Sequence, residues 1–218
     1  MTSNQIWTST KLGCGTTLTP TLRESVVLFD LDGVLIEARP WHRQALNRAL
    51  ADCSLPSLTP EQEVELEGLP TKVKLDALSV PETLREQVMD LKQSYTLRLL
   101  HEQAVPLPNV IETLARLKLE GKRIGICSNA VRATVYAAMW RTGIVKYIDL
   151  VLSNEEARKP KPDPAIYLMA LSCMHIPASE AVVVEDHPKG VAAAKGAGIR
   201  VVQVNDPSEV SYRRLVCG

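Results

Sequence analysis

The chain has 218 residues, of which 45% are hydrophobic and 23% charged, a composition typical of a globular protein with a sizeable core. Lysine plus arginine and aspartate plus glutamate both number 25, so the basic excess expected of a general nucleic-acid-binding protein is missing. No apolar stretch is long enough to span a bilayer, and the first residues lack the basic start and apolar block of a secretory signal.

Cysteine usage indicates a reducing compartment. The cysteines are odd in number, scattered and free of any C-x-x-C pair: Cys14, Cys53, Cys127, Cys173 and Cys217. This pattern argues against a disulfide framework or a zinc site, and we expect a cytoplasmic protein without nucleic-acid or membrane partners.

The first predicted strand leads directly into two carboxylates. Val26 to Phe29 form an apolar run typical of a strand that is buried on both faces, and Asp30, Asp32 and Gly33 follow. Side chains alternate along an extended chain, so both carboxylates can face the same space, where like charges require a cation or a proton. We interpret them as half of a magnesium site beside a nucleophile. The alternative is an acidic strand-to-loop boundary.

The next segment has a different character. Residues 38–105 are predicted to be helical, with helices from residue 40 and over 61–67, 72–78 and 81–103. An all-helical block behind a first strand suggests an inserted cap domain. We therefore predict an N-terminal tail at 1–24, a core domain made of 25–37 and 106–218, and a cap at 38–105.

Strands and helices alternate in the remainder of the chain. Strands are predicted at 123–127, 147–152, 181–184 and 200–204, and helices at 109–119, 133–142, 164–174 and 188–197. This order predicts an α/β protein with a Rossmann-like, mostly parallel sheet and right-handed crossovers, together with the small all-α cap.

Polar residues recur where the predicted strands end. Ser128-Asn129 and Glu185-Asp186 each follow an apolar strand, and Lys159 lies in the loop after another. Because the carboxyl ends of parallel strands share one edge of a sheet, these side chains and the two aspartates of the first strand are predicted to converge.

This set of motifs, in this order, resembles the haloacid dehalogenase superfamily. The resemblance covers Val26 to Val204 and includes a helical cap after the first motif. The matching pieces are F-D-L-D-G-V-L (29–35), C-S-N (127–129), R-K-P-K-P-D-P (158–164) and V-V-E-D-H-P-K-G-V-A-A-A-K-G-A-G (183–198). Within the superfamily, the chain is similar to the β-phosphoglucomutase and phosphoglycolate phosphatase branch.

The resemblance implies specific roles for the acidic residues. Asp30 attacks phosphorus and forms an aspartyl-phosphate, and Asp32 acts as general acid and base. The implied cofactor is Mg²⁺, held by the Asp30 carboxylate, the backbone carbonyl of Asp32 and Asp186, with Glu185 supporting that shell.

Phosphate binding is expected to involve Ser128, Asn129 and Lys159. Lys161 is an alternative cation in the same loop, but the lysine directly before the first proline fits the family better, so Lys159 is the prediction. Asn129 has the alternative role of a loop hydrogen bonder.

Cap residues are candidates for substrate contacts. The turn at 68–72 resembles the specificity loop of the branch, so Lys72 or Lys74 is a candidate for contacting an anionic or hydroxylated substrate; the alternative is a solvated helix face. His42 corresponds to a cap-hinge histidine near the acid/base of the mutases, and its alternative is a solvent-facing helix residue. Ala38 replaces a threonine of the β-phosphoglucomutases, which argues against a mutase.

We therefore expect a Mg²⁺-dependent phosphatase that acts on a small phosphorylated metabolite as a monomer or dimer. The alternatives are a phosphohexose mutase that uses the same aspartyl-phosphate, and a non-catalytic binding protein on the same scaffold.

Overall fold

The computed structural model describes residues 21–217. Most of the predicted N-terminal tail therefore lies outside the described residues. Its last part is held against the core, because the backbone N–H of Leu22 donates to the Tyr212 hydroxyl at 3.1 Å and Lys122 Nζ donates to the Leu22 carbonyl at 2.7 Å.

A parallel sheet of five strands forms the centre of the described chain. The strands are β1 (Val26–Phe29), β2 (Arg123–Cys127), β3 (Leu150–Leu152), β4 (Ala181–Glu185) and β5 (Arg200–Gln203). Their order is β3-β2-β1-β4-β5, and every pairing is parallel. The apolar run of β1 is explained by its central position, since all four of its residues are buried. The predicted α/β class with a parallel sheet is confirmed.

Helices connect and cover these strands. Within residues 21–217 they are α1 (Arg39–Asp52), α2 (Pro60–Glu65), α3 (Thr71–Ala77), α4 (Glu82–Gln103), α5 (Pro108–Leu119), α6 (Arg132–Thr142), α7 (Ala165–Met174), α8 (Pro188–Gly196) and α9 (Tyr212–Cys217). None of them is both long and apolar enough to cross a membrane.

The apolar core has three parts. Two clusters cover the sheet, one on each face, around alternate residues of β1: Val27 and Phe29 in one, Val26 and Leu28 in the other. A third cluster joins α1, α3 and α4 through buried leucine, valine and alanine side chains. We call α1 to α4 the helical insert. The division of the chain into core and cap domains stays a prediction.

The structure differs from the predicted elements at a few boundaries. β3 begins at Leu150 and not at residue 147, because Val145–Tyr147 forms a 3₁₀ turn. The helix α7 begins at Ala165, one residue later than predicted, and the Asp163 carboxylate accepts a hydrogen bond from the Ala165 N–H at 3.0 Å. The short helix α9 was not predicted.

Candidate active site

A cavity of about 450 Å³ lies between the carboxyl edge of the sheet and the helical insert. Chain segments that follow four different strands reach it, because all of these strands end at the same edge. Its sheet-side lining includes seven polar residues close to the strand ends: Asp30, Asp32, Ser128, Asn129, Lys161, Glu185 and Asp186. Six of these seven residues are predicted site residues, and the seventh, Lys161, is the alternative cation of the same loop.

The structure corrects the choice of lysine. Lys161 Nζ lies 2.9 Å from Asp30 Oδ1, 2.5 Å from Glu185 Oε1 and 2.7 Å from the Cys127 carbonyl oxygen. The Lys159 side chain is 74% exposed and lies 3.7 Å from Asp163. Lys159 therefore does not contact the carboxylates of the site.

A hydrogen-bonded loop explains why the second lysine points inward. The Asn129 side-chain oxygen accepts from the backbone N–H of Lys161 at 3.1 Å, which fixes the later part of the loop against the end of β2. From there, Lys161 extends into the space between Asp30 and Glu185 and is only 3% exposed. Burial alone would lower the pKa of this lysine, but the two carboxylates outweigh it and raise the pKa above its usual range.

Tyr167 completes the surroundings of this lysine. Its hydroxyl donates to Glu185 Oε1 at 2.7 Å, and its ring centroid lies 5.1 Å from Lys161 Nζ. Glu185 Oε1 thus has two donors, and the glutamate is held in one orientation. The local sequence gives no signal for this contact, because Tyr167 has the position of a core residue in the helical pattern of α7.

An acidic cluster lies beside the buried lysine. One carboxylate oxygen each of Asp30, Glu185 and Asp186 lies within 4.8 Å of the others. Burial, followed by the negative charge of Glu185, raises the pKa of Asp30, and the same two causes raise the pKa of Asp186 to about 7. Gathering these groups is unfavourable unless a cation compensates them.

The cluster fits a hard divalent cation. Three buried carboxylate oxygens have no hydrogen-bond partner among the described residues: Asp32 Oδ1, Glu185 Oε2 and Asp186 Oδ1. Buried polar atoms rarely remain unpaired, and carboxylate oxygens are the ligands that Mg²⁺ prefers.

Two glycines permit this close approach of the carboxylates. Gly33 has a φ of +81°, and a Cβ at this position would overlap with the Asp186 carboxylate. A Cβ at Gly190 would overlap with the Glu185 carboxylate. Both positions therefore require glycine for lack of space, and Gly33 requires it for its backbone conformation as well.

Hydrogen-bond donors line the same edge of the sheet. The Ser128 side chain is buried and accepts from the Ala130 N–H at 3.0 Å. The backbone N–H groups of Leu31, Asp32 and Asn129 donate to no group in the described part of the chain. Unpaired N–H groups around a cationic side chain form a suitable cradle for a phosphate group.

The Asn129 side chain is occupied by protein contacts. Besides accepting from Lys161, it donates to the Gly68 carbonyl of the helical insert at 2.8 Å. The Asn129 side chain therefore has the alternative role, that of forming hydrogen bonds within the protein. Its backbone N–H remains available to a ligand.

Asp32 is held by residues of the helical insert. His42 Nε2 lies 3.1 Å from Asp32 Oδ2, and Lys92 Nζ lies 3.1 Å from His42 Nδ1. His42 thus lies at the position predicted from the resemblance and not at the surface. Lys92 was missed, because its place in α4 is set by packing that the helical repeat does not reveal.

Charges around this pair favour an ionised aspartate and a neutral histidine. Burial raises the pKa of Asp32, but the interaction with His42, including its hydrogen bond, and then the charge of Lys92 outweigh it, so the pKa is lowered. Burial and then the charge of Lys92 lower the pKa of His42. Burial followed by the charge of Lys74 lowers the pKa of Lys92 to about 8.

The two candidate lysines of α3 have different surroundings. Lys72 is exposed and does not line the cavity, so it lies on a solvated helix face, as in the alternative interpretation. Lys74 lines the cavity and is partly buried. Arg39 was not predicted; its guanidinium pairs with Glu37 and lies 3.4 Å from Asp186 Oδ2.

Together, the fold and the site define a hydrolase with an α/β core and a carboxylate–lysine centre. The family model described as haloacid dehalogenase-like hydrolase matches residues 27–204, and the chain belongs to this family. The predicted resemblance is confirmed.

Curated relatives agree with this assignment. The phosphorylated carbohydrates phosphatase of Thermotoga maritima is 28% identical over 180 residues, which cover 79% of this chain and 81% of that protein. Protein CbbY of Rhodobacter capsulatus is 30% identical over 195 residues, covering 84% and 85%. Phosphoglycolate phosphatases of Pseudomonas species are 28% identical over 189 residues, covering 83% of this chain and 69% of those proteins. The protein is a phosphoric monoester hydrolase.

Solved structures show the same fold. The crystal structure of β-phosphoglucomutase from Clostridium difficile superposes with a TM-score of 0.77, covering 87% of this chain and 94% of that chain. The two sequences are 19% identical, so this likeness describes the fold alone.

Proposed function

We propose that the protein is a Mg²⁺-dependent phosphatase that hydrolyses a small phosphorylated metabolite through an aspartyl-phosphate on Asp30. The observation that carries this proposal is the junction at the sheet edge. There, Asp30 shares a buried lysine with Glu185 and lies in an acidic cluster with Asp186.

Electrostatics explain why both a metal and a lysine are needed. An anionic carboxylate must approach an anionic phosphate, and at roughly 4 Å each pair of unit charges repels by about 4 kcal/mol at an effective dielectric of about 20. Lys161 supplies one positive charge in contact with Asp30. Because the lysine is already held by three acceptors, it does not have to reorganise when the substrate binds.

The residues that would hold Mg²⁺ are Asp30, Asp186 and the backbone carbonyl of Asp32, with Glu185 supporting them. When bound, the ion supplies positive charge to the phosphoryl oxygens and to the carboxylates. The orphaned oxygens of Glu185 and Asp186 support this proposal.

Phosphoryl transfer then depends on positions in this chain. One Asp30 oxygen is held by Lys161, which leaves the other to attack phosphorus. The Ser128 hydroxyl and the free N–H groups of Leu31 and Asn129 bind the phosphoryl oxygens. Water then hydrolyses the aspartyl-phosphate and releases inorganic phosphate.

Asp32 is suited to the proton transfers. Its Oδ2 is held by His42, while its Oδ1 has no partner among the described residues and is free to face the leaving oxygen. We propose that Asp32 gives a proton to that oxygen and later takes one from the attacking water. The ionised state of the free enzyme means that the proton must be acquired during substrate binding.

Phosphate release from a panel of sugar phosphates, phosphoglycolate and nucleotides tests the proposal. We expect turnover with Mg²⁺, none after chelation, and none with Asp30→Asn. Asp32→Asn should lower turnover by about 10²- to 10⁴-fold, the usual contribution of general acid–base catalysis. Full activity of Asp30→Asn would overturn the nucleophile assignment.

A phosphohexose mutase is the second candidate, and the contact between His42 and Asp32 favours it, because the resemblance places this histidine near the acid/base in the mutases. Ala38 in place of the threonine of the β-phosphoglucomutases argues against it. The products discriminate the two: a phosphatase releases inorganic phosphate, whereas a mutase yields an isomeric sugar phosphate.

A further inference from the structure

A buried tyrosine hydroxyl contacts the active site but has no part in the proposed chemistry. Tyr167 belongs to α7, is fully buried, and packs its ring in the apolar cluster that covers one face of the sheet. A phenylalanine would fill the same apolar space. The hydroxyl therefore has to be explained by its contact, because a buried polar group is costly unless it forms a hydrogen bond. That contact is with Glu185 Oε1, at 2.7 Å.

The two oxygens of the Glu185 carboxylate have different surroundings. Oε1 accepts hydrogen bonds from the Tyr167 hydroxyl and from Lys161 Nζ. Oε2 is buried and has no hydrogen-bond partner in the part of the chain that the structure describes. Because a carboxylate is planar, donors that hold one oxygen also fix the direction of the other. Tyr167 and Lys161 therefore set the direction of Oε2.

Lys161 alone would hold Glu185 less firmly. Its ammonium group has three hydrogens, and it also donates to Asp30 Oδ1 and to the Cys127 carbonyl oxygen. A lysine side chain is a flexible stem, whereas the Tyr167 ring is held by the packing of the core. Without the tyrosine hydroxyl, the glutamate would be held only by a lysine that it shares with Asp30, so a shift of one carboxylate would disturb the other.

The neighbouring residue, Asp186, shows the same division between a held and an available oxygen. Its Oδ2 lies 3.4 Å from the Arg39 guanidinium, and its Oδ1 is buried without a hydrogen-bond partner within residues 21–217. The backbone of α8 also confines Glu185, because a Cβ at Gly190 would overlap with the Glu185 carboxylate. In both acidic residues, contacts within the protein thus hold one oxygen and leave the other available.

These carboxylates belong to the acidic cluster that fits a divalent cation. One carboxylate oxygen each of Asp30, Glu185 and Asp186 lies within 4.8 Å of the others. Residues that orient the groups around a metal ion commonly change its affinity by about 10- to 100-fold, although they do not touch the ion. A hydroxyl that sets the direction of one of these carboxylates can therefore affect metal binding from outside the site.

We propose that Tyr167 is a positioning residue of the metal site, whose hydroxyl holds Glu185 so that the second oxygen of this glutamate supports Mg²⁺ binding by Asp30 and Asp186. The inference rests on the proposed Mg²⁺-dependent phosphatase function and adds to it a residue that contacts neither the substrate nor the ion. It also accounts for a hydroxyl at a position where the aromatic ring alone would satisfy the core.

Calorimetric titration of the substrate-free protein with MgCl₂ tests the inference without turnover. Tyr167→Phe removes only the hydroxyl and keeps the ring, whose centroid lies 5.1 Å from Lys161 Nζ. We expect this variant to bind Mg²⁺ about tenfold more weakly than the wild type, the lower end of the range for residues that orient metal ligands. An unchanged affinity of Tyr167→Phe for Mg²⁺ would overturn the inference.

Tyr212→Phe is the matched control. The Tyr212 hydroxyl also donates to a glutamate, Glu120, at 2.6 Å, but this tyrosine does not line the active-site cavity. Both substitutions should lower the melting temperature, because each removes a hydrogen bond to a charged group, whereas only Tyr167→Phe should weaken Mg²⁺ binding. A similar loss of Mg²⁺ affinity in Tyr212→Phe would mean that the affinity follows general stability, and would overturn the inference.

A double-mutant cycle shows whether Tyr167 acts through Glu185. In a Glu185→Ala background, adding Tyr167→Phe should change the Mg²⁺ affinity by about twofold at most, since the partner of the hydroxyl is already gone. An additional loss as large as in the wild-type background would mean that the hydroxyl acts by another route, and would overturn the inference. If Glu185→Ala does not fold, the comparison of Tyr167→Phe with Tyr212→Phe decides.

Phosphate release separates this inference from the proposed function. The Mg²⁺ concentration for half-maximal turnover should rise about tenfold in Tyr167→Phe, whereas KM for the substrate at saturating Mg²⁺ should stay as in the wild type. Weaker Mg²⁺ binding by Tyr167→Phe would support the inference even if the wild type released no phosphate. Turnover by the wild type, with equal Mg²⁺ affinity in both proteins, would contradict the inference and leave the proposed function standing. A wild type that binds no Mg²⁺ would contradict both.

Discussion

The sheet edge and the helical insert form the two walls of the active-site cavity, and their lysines differ in whether a carboxylate contacts them. At the sheet edge, Lys161 is buried and held by two carboxylates and a carbonyl oxygen, and its pKa is raised. In the helical insert, Lys74 and Lys92 have no carboxylate in contact among the described residues, and their pKa values are lowered. The lysine of the sheet edge is thus paired with carboxylates before any substrate binds, whereas the two lysines of the helical insert have no such partner within residues 21–217.

This difference separates chemistry from recognition. Attack on a phosphate requires the same compensated charges for every substrate, so the sheet edge provides them before the substrate arrives. Binding of a particular substrate requires groups that gain a partner only in the complex. Substitutions in each wall test whether the two can be perturbed separately.

The largest effect is expected at the paired lysine. Lys161→Met should lower kcat by about 10³-fold, as for loss of a preorganised charge at a reacting centre, because Asp30 and Glu185 then repel each other without compensation. Lys159→Met, two residues away and exposed, is the matched control and should retain wild-type activity. Steady-state phosphate release measures both. Equal losses in the two variants would mean that the loop and not the charge matters.

The acidic cluster should respond to metal and pH together. The pKa of Asp186 is about 7 in the metal-free protein and near 3.8 when unfolded, so its contribution to stability is present at low pH and is lost as pH rises through about 7. At pH 8, Asp186→Asn should therefore raise the melting temperature of the metal-free protein by roughly 2–4 °C, the shift for about 1 kcal/mol.

The same variant should lose its response to Mg²⁺. The wild type should be stabilised by the ion, whereas Asp186→Asn should bind it more than about 10²-fold more weakly, since a direct ligand matters more than an outer partner. Asp90→Asn, in an exposed position of α4, is the control and should behave like the wild type. Unchanged Mg²⁺ stabilisation of Asp186→Asn would exclude this residue as a ligand.

A moderate effect is expected for the chain of contacts from Lys92 through His42 to Asp32. Because the pKa of Lys92 is about 8, its charge is lost above that pH, and the pKa values of His42 and Asp32 then rise. The pH profile of kcat/KM should fall on the basic side near pH 8. Lys92→Met should be about tenfold less active at pH 7, within the range of one charged contact, and should lack this basic limb.

The smallest effect concerns the contact between the two walls. Lys189 Nζ, in α8 of the sheet side, donates to the backbone carbonyls of Glu65 at 3.0 Å and Glu67 at 2.8 Å in the helical insert. Lys189→Met should raise KM by about fivefold, the effect of about 1 kcal/mol, and speed proteolysis of the insert. Lys195→Met, exposed on the same helix, is the control. Faster proteolysis in both variants would argue against a specific contact.

Much of the sheet side was predictable from residue patterns. Apolar runs such as 26–29 and 181–184 must be buried, and parallel strands bring the polar residues at their ends to one edge. The meeting of Asp30, Ser128, Glu185 and Asp186 follows from this rule. This rule depends only on the order and direction of the strands. Both are strongly restricted, because connections between strands are short and crossovers between parallel strands are right-handed.

The site residues that were predicted wrongly or missed are those whose positions depend on loop conformation and tertiary packing. Lys159 and Lys161 are two residues apart in one loop, and the one that turns inward is Lys161, whose backbone N–H donates to Asn129. A contact between residues more than thirty positions apart leaves no local signal. Lys92 and Lys189 were missed for the same reason, since helical periodicity marks an apolar face and not the partner of a polar side chain.

The most direct test of the central claim is the site of phosphorylation during turnover. The enzyme would be mixed with a substrate and Mg²⁺, quenched in acid within one turnover, digested and analysed by mass spectrometry. We predict a phosphoryl group on the peptide that contains Asp30, and its absence in Asp30→Asn. Turnover with no phosphorylated peptide, or with the phosphoryl group on another residue, would contradict the account.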